Sequence, residues 1–187
     1  APTPTSVRTT KPAWSVGESA PSEYLPAWFK TTGIAGLDWM LGDVVVHSTD
    51  GANGPSQGVA SVRWVSPISG TVNIVGAVWI TRDIGRSVGW SLLKNGTSFT
   101  GGSVFSGDPY SRSSPMNFTA GTGGAGVLQS IPVLIGDTID LQLATTSTFG
   151  DLVGVKLAIV STVTAIGDTP GLTRFVLHDP LPNPFNP

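Results

Sequence analysis

Any chemistry this chain performs must come from a short list of side chains. There is no cysteine, which excludes thiolate nucleophiles, thiolate metal ligands and disulfides. The two histidines, His47 and His178, stand in unrelated contexts, with no His-Glu-x-x-His pair and no spacing suited to a shared metal. No Gly-x-x-x-x-Gly-Lys-Ser/Thr phosphate loop occurs. Glycoside hydrolysis needs only two opposed carboxyl groups. The acidic residues, however, fall mostly at strand ends or turns (Asp50, Asp83, Asp108, Asp137 and Asp151), where a short carboxylate hydrogen-bonds its own backbone. Glutamate is confined to Glu18 and Glu23. This inventory reads as that of a protein that is not an enzyme.

Binding chemistry has better candidates. Six tryptophans are present, and a flat indole can stack on a sugar ring or anchor a protein contact. Trp64, Trp79 and Trp90 lie within expected strands, where large aromatics usually fill a core. Trp14, Trp28 and Trp39 lie outside the clear strands. With Phe29, Phe175 and Phe185 they form the candidate ligand- or partner-binding set. Packing of an arm onto its own domain or onto a neighbour is favoured for them over sugar stacking. Hard oxygen ligands for calcium could come from Asp137 with Asp140, or from the loop holding Asp50 and Asn53. Neither is a complete calcium loop, and no cofactor is required. Asn95-Gly96-Thr97 and Asn117-Phe118-Thr119 have the glycosylation form and read as a hairpin and a strand edge.

The elements that must position these residues are strands. Charged residues make up 12% of the 187-residue chain, about half the usual share, while 40% are hydrophobic, too many for disorder. Gly (24) and Pro (15) supply about a fifth, which suits short strands and many turns. The net charge of −2 and scattered Lys/Arg give no footprint for nucleic acid, and no apolar run reaches a membrane span. Runs rich in Val, Ile and Thr predict strands over Asp43–His47, Val59–Val65, Thr71–Ile80, Val88–Leu93, Val127–Val133, Thr138–Ala144 and Gly154–Thr164. Alternation is cleanest where Ile139, Leu141 and Leu143 face inward against Asp140 and Gln142. It recurs with Val155, Leu157 and Ile159 against Lys156. Asn95-Gly96 predicts a tight hairpin, and Ser66–Gly70 and Gly136-Asp137 predict turns. Residues 101–126 read as a long glycine-rich loop, and only Ala35–Leu41 suggests a helical turn. The expected fold is all-β, an antiparallel two-sheet β-sandwich of jelly-roll type.

Its ends differ in grammar. Pro2, Pro4, Pro12, Pro21 and Pro26 break up a Pro-rich aromatic arm over residues 1–36. The sandwich is expected over 37–166 and a second arm over 167–187. The opening Ala-Pro-Thr-Pro-Thr, without methionine, fits a chain from which a leader was cut. A chain that merely lacks its natural start reads the same way.

Two resemblances follow from particular strings. Val62-Arg63-Trp64-Val65-Ser66-Pro67-Ile68-Ser69-Gly70-Thr71-Val72, then Leu92-Leu93-Lys94-Asn95-Gly96-Thr97, then Ile135-Gly136-Asp137-Thr138-Ile139-Asp140-Leu141, resemble jelly-roll modules of secreted bacterial proteins. They are similar to carbohydrate-binding modules and to domains of PEP-CTERM exported proteins, over roughly residues 42–164. The resemblance implies an extracellular, often glycan-associated module without catalysis, whose ligand-contacting residues vary. At the other end, Phe175-Val176-Leu177 and Pro182-Asn183-Pro184-Phe185-Asn186-Pro187 resemble the opening of the C-terminal sorting domain of type IX secretion. That resemblance implies a Gram-negative cell-surface or released protein whose sorting domain is removed, or lies beyond this sequence. The plain reading of the same string is an extended polyproline tail.

Two functions are expected from this. The first is a structural or adhesive subunit, secreted or held at the cell surface, that self-associates through its arms. Val7–Thr10 or Leu172–Leu177 would add to a neighbour's sheet edge, and repetition of that head-to-tail contact gives an open filament. The alternative is a carbohydrate-binding accessory module that takes a polysaccharide in a groove framed by the glycine-rich loop.

Overall fold

In the computed structural model the described residues are 13–15, 26–31, 37–49, 59–162 and 174–176. Their strands, in chain order, are β1 (Ala13–Ser15), β2 (Ala27–Lys30), β3 (Val44–His47), β4 (Ala60–Val65), β5 (Gly70–Ile80) and β6 (Ser87–Lys94). Then follow β7 (Thr97–Phe105), β8 (Met116–Asn117), β9 (Ile131–Val133), β10 (Thr138–Thr145), β11 (Leu152–Ser161) and β12 (Arg174–Val176). Helix is limited to two three-residue 3₁₀ turns, Phe118–Ala120 and Gly126–Leu128. No helix among the described residues is long and apolar enough to cross a membrane.

The strands form two antiparallel sheets, as the alternating pattern requires. Sheet A runs β1-β2-β3-β11-β5; β12 shares one flank of β11 with β3, and β8 and β9 line the other flank of β5. Sheet B runs β4-β10-β6-β7. Ile139, Leu141 and Leu143 turn inward with at most 1% of their surface exposed, and Val155, Leu157 and Ile159 meet them from sheet A. This shared interior, with Val62, Ile74, Val78, Trp90 and Leu92, is the main core. Truncating one such side chain to alanine typically costs about 2–5 kcal/mol. The Asn95-Gly96 hairpin forms with both residues at positive φ (49° and 81°), the type I′ geometry that matches strand twist.

Three expectations change. The loop expected from residue 101 instead begins inside β7, which starts directly after the hairpin and runs to Phe105. Its glycines hid the strand, and they are there for space. A Cβ on Gly102 would lie 2.9 Å from Met116 Cε and 3.0 Å from Trp90 Nε1, and one on Gly121 2.6 Å from Trp90 Cη2. The following segment packs Phe118 and Leu128 into the core, with the Phe118 and Trp90 ring centroids 4.9 Å apart. The strand expected over Val127–Val133 is reduced to β9 because a 3₁₀ turn takes up its start. The expected helical turn near Ala35–Leu41 is a run of bends and a turn over the described residues 37–42.

Candidate functional site

Short described segments towards both ends of the chain, β1 and β12, join sheet A. β2 lies on β3 with Phe29 opposite Val45, and β1 pairs back onto β2 with Trp14 opposite Trp28. β11 is ten residues long, but β3 covers only Leu152–Val155 of that flank. The far part receives β12, which sets Phe175 opposite Ile159 and Arg174 opposite Val160. β12 falls inside the stretch Leu172–Leu177 expected to add to a neighbour's sheet edge, and here it pairs with β11 of its own chain. The side chains of Trp14 and Phe175, and the whole of Phe185, Val7–Thr10, His178 and the Asp50/Asn53 loop, lie outside the described residues.

Trp28, Phe29 and Trp39 are separated by the pleat of sheet A. Trp28 faces inward, half-buried against the main core, and its Nε1 is buried without an acceptor among the described residues. Phe29, one residue on, faces the opposite side. There it meets Trp39 edge-on at 5.9 Å, together with Val45, Leu152 and Leu37, in a second apolar cluster on the outer face of sheet A. Trp79 also points outward from β5 yet is 0% exposed. Its ring lies on Gly154, its Nε1 donates to the Asp38 carbonyl at 2.7 Å, and the Lys156 ammonium stands 5.4 Å from the ring.

Residues 37–43 are thus folded over the outer face of sheet A, and Arg112 fastens them. Its backbone N–H donates to Asp38 Oδ2 at 2.6 Å, and its guanidinium grips both oxygens of Asp43. Thr31, at the end of β2, hydrogen-bonds to Met40, Gly42 and Asp43 and closes the same corner. Burial raises the Asp43 pKa. The Arg112 hydrogen bond, the Met40 amide and the Arg112 and Lys156 charges outweigh that and hold the carboxyl below its ordinary value. Sequence reasoning missed this clasp, since Arg112 and Asp43 are 69 residues apart and no local pattern links them.

Asp137 and Asp140, offered together as calcium ligands by the sequence, each have their own protein partners. Asp140 is 1% exposed and bound two-pronged by Arg63, at 2.7 and 3.0 Å. Asp137 accepts from the Leu134 amide and from Asn95 Nδ2, both at 3.0 Å, with Lys94 Nζ at 3.3 Å. Each carboxylate is therefore occupied by protein donors. No group of three or more His, Asp or Glu residues suited to a metal is found among the described residues.

At the opposite end of the sandwich Asp151 is fully buried. Oδ1 accepts from the Leu152 amide at 2.7 Å, Oδ2 has no partner among the described residues, and Arg82 Nε stands 3.6 Å from Oδ1. Desolvation pushes its pKa up against that hydrogen bond and the charges of Arg82, Arg86 and His47.

One string of nucleophile-elbow form, Gly85-Arg86-Ser87-Val88-Gly89, was also missed by the sequence reading. Ser87 opens β6 rather than a strand-to-helix turn, and its hydroxyl is paired with Thr146 Oγ1 at 2.6 Å.

The described indoles are all buried or half-buried: Trp79, Trp90 and Trp39 fully, Trp28 and Trp64 in part. What the geometry offers is sheet edges that accept strands from the arms. Comparison with models of known protein families, with curated proteins and with solved structures finds no match to this chain.

Proposed function

We propose that the chain is a non-enzymatic extracellular structural or adhesive subunit. It self-assembles through its terminal arms at the surface of a Gram-negative bacterium, which it reaches by a type IX-like export route. The observation that carries this reading is the antiparallel register of β12 on the outer flank of β11. A short segment of the C-terminal arm occupies a sheet edge by main-chain pairing, which is the mode by which one copy's arm can complete a neighbour's sheet. The N-terminal arm supports it in the same way, since β1 and β2 extend sheet A outward from β3.

The finer fold of this subunit is a jelly roll. Its support is the strand order, β3-β11-β5 with β8 and β9 facing β4-β10-β6-β7. In that order β3 to β11 pass from sheet to sheet except at the β6–β7 hairpin and between β8 and β9, as in two interlocked Greek keys. A polysaccharide-binding module is compatible with the same fold, but its usual platform is an exposed indole. The burial of the described tryptophans favours assembly over stacking on sugar.

The test uses the full chain, examined by light scattering and negative-stain electron microscopy, beside a variant carrying Phe175→Pro. Proline at the centre of β12 removes an amide from the ladder. Ordered assemblies from the parent and a monomer of unchanged circular dichroism from the variant are expected. A parent that stays monomeric at every concentration up to millimolar overturns the reading.

A further inference from the structure

The Asn95-Gly96 pair does more than turn the chain between β6 and β7. Both residues are exposed and at positive φ, yet the Asn95 carboxamide is not left to solvent. Its Nδ2 donates to Asp137 Oδ1 at 3.0 Å, and its Oδ1 accepts from the Thr138 amide at 2.8 Å. The Asn95 backbone amide donates to the Thr138 carbonyl at 3.0 Å. One side chain thus ties the β6–β7 hairpin to the β9–β10 turn, 42 residues away in sequence. The second oxygen of Asp137 accepts from the Leu134 amide and stands 3.3 Å from Lys94 Nζ.

An asparagine followed by glycine is also chemically labile, because glycine has no Cβ to keep its backbone nitrogen from the asparagine Cγ. Nothing lies within 4 Å of the place a Gly96 Cβ would take, so no neighbour shields the tip. The deprotonated Gly96 nitrogen attacks Cγ, the new C–N bond closes a five-membered succinimide, and Nδ2 takes up a proton from water and leaves as ammonia. Water then opens the ring. Breaking the bond from nitrogen to Cγ gives aspartate. Breaking the bond from nitrogen to the backbone carbonyl carbon gives isoaspartate, in which the main chain runs through Cγ. Water is the one co-reactant.

For that attack the carboxamide must swing back onto its own backbone, and both of its bonds to the β9–β10 turn must break first. We propose that Asn95 is a deamidation site that the fold holds closed through Asp137 and Thr138, and that its conversion releases the β9–β10 turn irreversibly. Once a carboxylate replaces the carboxamide, an oxygen stands where Nδ2 donated, 3.0 Å from an Asp137 oxygen. Two anions then face each other where a hydrogen bond was. Isoaspartate in addition lengthens the main chain of a two-residue turn whose length sets the register of its strands. This chemistry is independent of how copies assemble.

The full chain is incubated in mildly alkaline buffer, folded and in concentrated urea, and peptides covering Asn95 are followed by mass spectrometry. Asn53-Gly54, the same dipeptide elsewhere in the chain, reports the intrinsic rate in the urea sample. Both pairs are expected to convert alike in urea. In the folded protein Asn95 should react about tenfold more slowly or less, since two hydrogen bonds must be given up. Equal rates for Asn95 in the two samples would overturn the protection. Asp137→Ala removes one of the two bonds and should raise the folded-state rate about fivefold; an unchanged rate overturns the part given to Asp137. The comparison with urea uses the parent chain and decides the matter even where Asp137→Ala fails to fold. Asn95→Asp reproduces one product. It is expected to melt below the parent and to recover when Asp137→Asn is added, and parent-like melting of Asn95→Asp alone overturns the release of the turn.

Discussion

Replacing Gly154 by alanine interrogates the covered face of sheet A at its tightest point. A Cβ there would lie 2.1 Å from both Cε2 and Cζ2 of Trp79, whereas carbon atoms rest about 3.5–4 Å apart. The indole must therefore withdraw by more than an ångström from a site where it is 0% exposed. Overpacking of that kind costs about 1–3 kcal/mol. Withdrawal also breaks the Trp79 Nε1 bond to the Asp38 carbonyl, a further loss of about 1 kcal/mol. The expected destabilisation is about 2–4 kcal/mol. For a chain of this size that lowers the melting temperature by roughly 5–15 °C. The same substitution in a Trp79→Ala background meets no ring. There alanine gains about 0.5–1 kcal/mol over glycine within a strand, so the sign reverses. Urea unfolding of the four proteins of this cycle, followed by circular dichroism, measures both numbers. Equal effects of Gly154→Ala in the two backgrounds would refute the stacking of Trp79 on Gly154, and with it the seating of residues 37–43.

Two further outcomes concern charge. Arg112→Ala removes the two-pronged grip on Asp43, whose partners are 30% and 12% exposed; the expected cost is about 1 kcal/mol after solvent screening. Because the folded Asp43 pKa lies below its ordinary value of 3.8, that stabilisation is complete above the unfolded value. It is lost as pH falls through the folded one, so the variant's stability should flatten against pH below about 4. Asp151 has the opposite sign. Its folded pKa is raised by burial, so the stability linked to its protonated form is full below the unfolded value and lost as pH rises through the folded one. Asp151→Asn should remove that decline in a melting-temperature series from pH 4 to 8, and a decline equal to the parent's would show that another group causes it.

Much of the sandwich is legible in single strands. Period-two alternation identifies the inward faces of β10 and β11, and Asn95-Gly96 fixes a hairpin because few other pairs accept positive φ twice. What escapes notice is whatever depends on contacts distant in sequence. β7 is masked by Gly101 and Gly102, whose absence of side chains is explained only by Trp90 on the neighbouring strand. Trp79 reads as an ordinary core residue, since nothing in β5 reveals that a segment some forty residues earlier will cover its outer side. Of the six proposed contact residues, Trp28 and Phe29 are adjacent in sequence and face opposite sides of one sheet, so their shared aromatic character does not make a shared site.

The sealing of sheet A by residues 37–43 also limits how copies can meet. A neighbour cannot lie flat on a face already filled by Phe29, Trp39 and Leu152 without displacing the clasp of Arg112. The outer face of sheet B presents the register row Ser61, Gln142, Ser91 and Gly101, which gives little apolar area to bury. The edges of the sheets remain. Edge pairing through β12 extends an assembly across the strands, at about 4.8 Å per added strand, and it uses main-chain hydrogen bonds that tolerate sequence change. Phe175→Pro should therefore abolish that lateral growth and leave a monomer with the parent's circular dichroism. Variant assemblies indistinguishable from the parent's in negative stain would mean that β12 is not the contact.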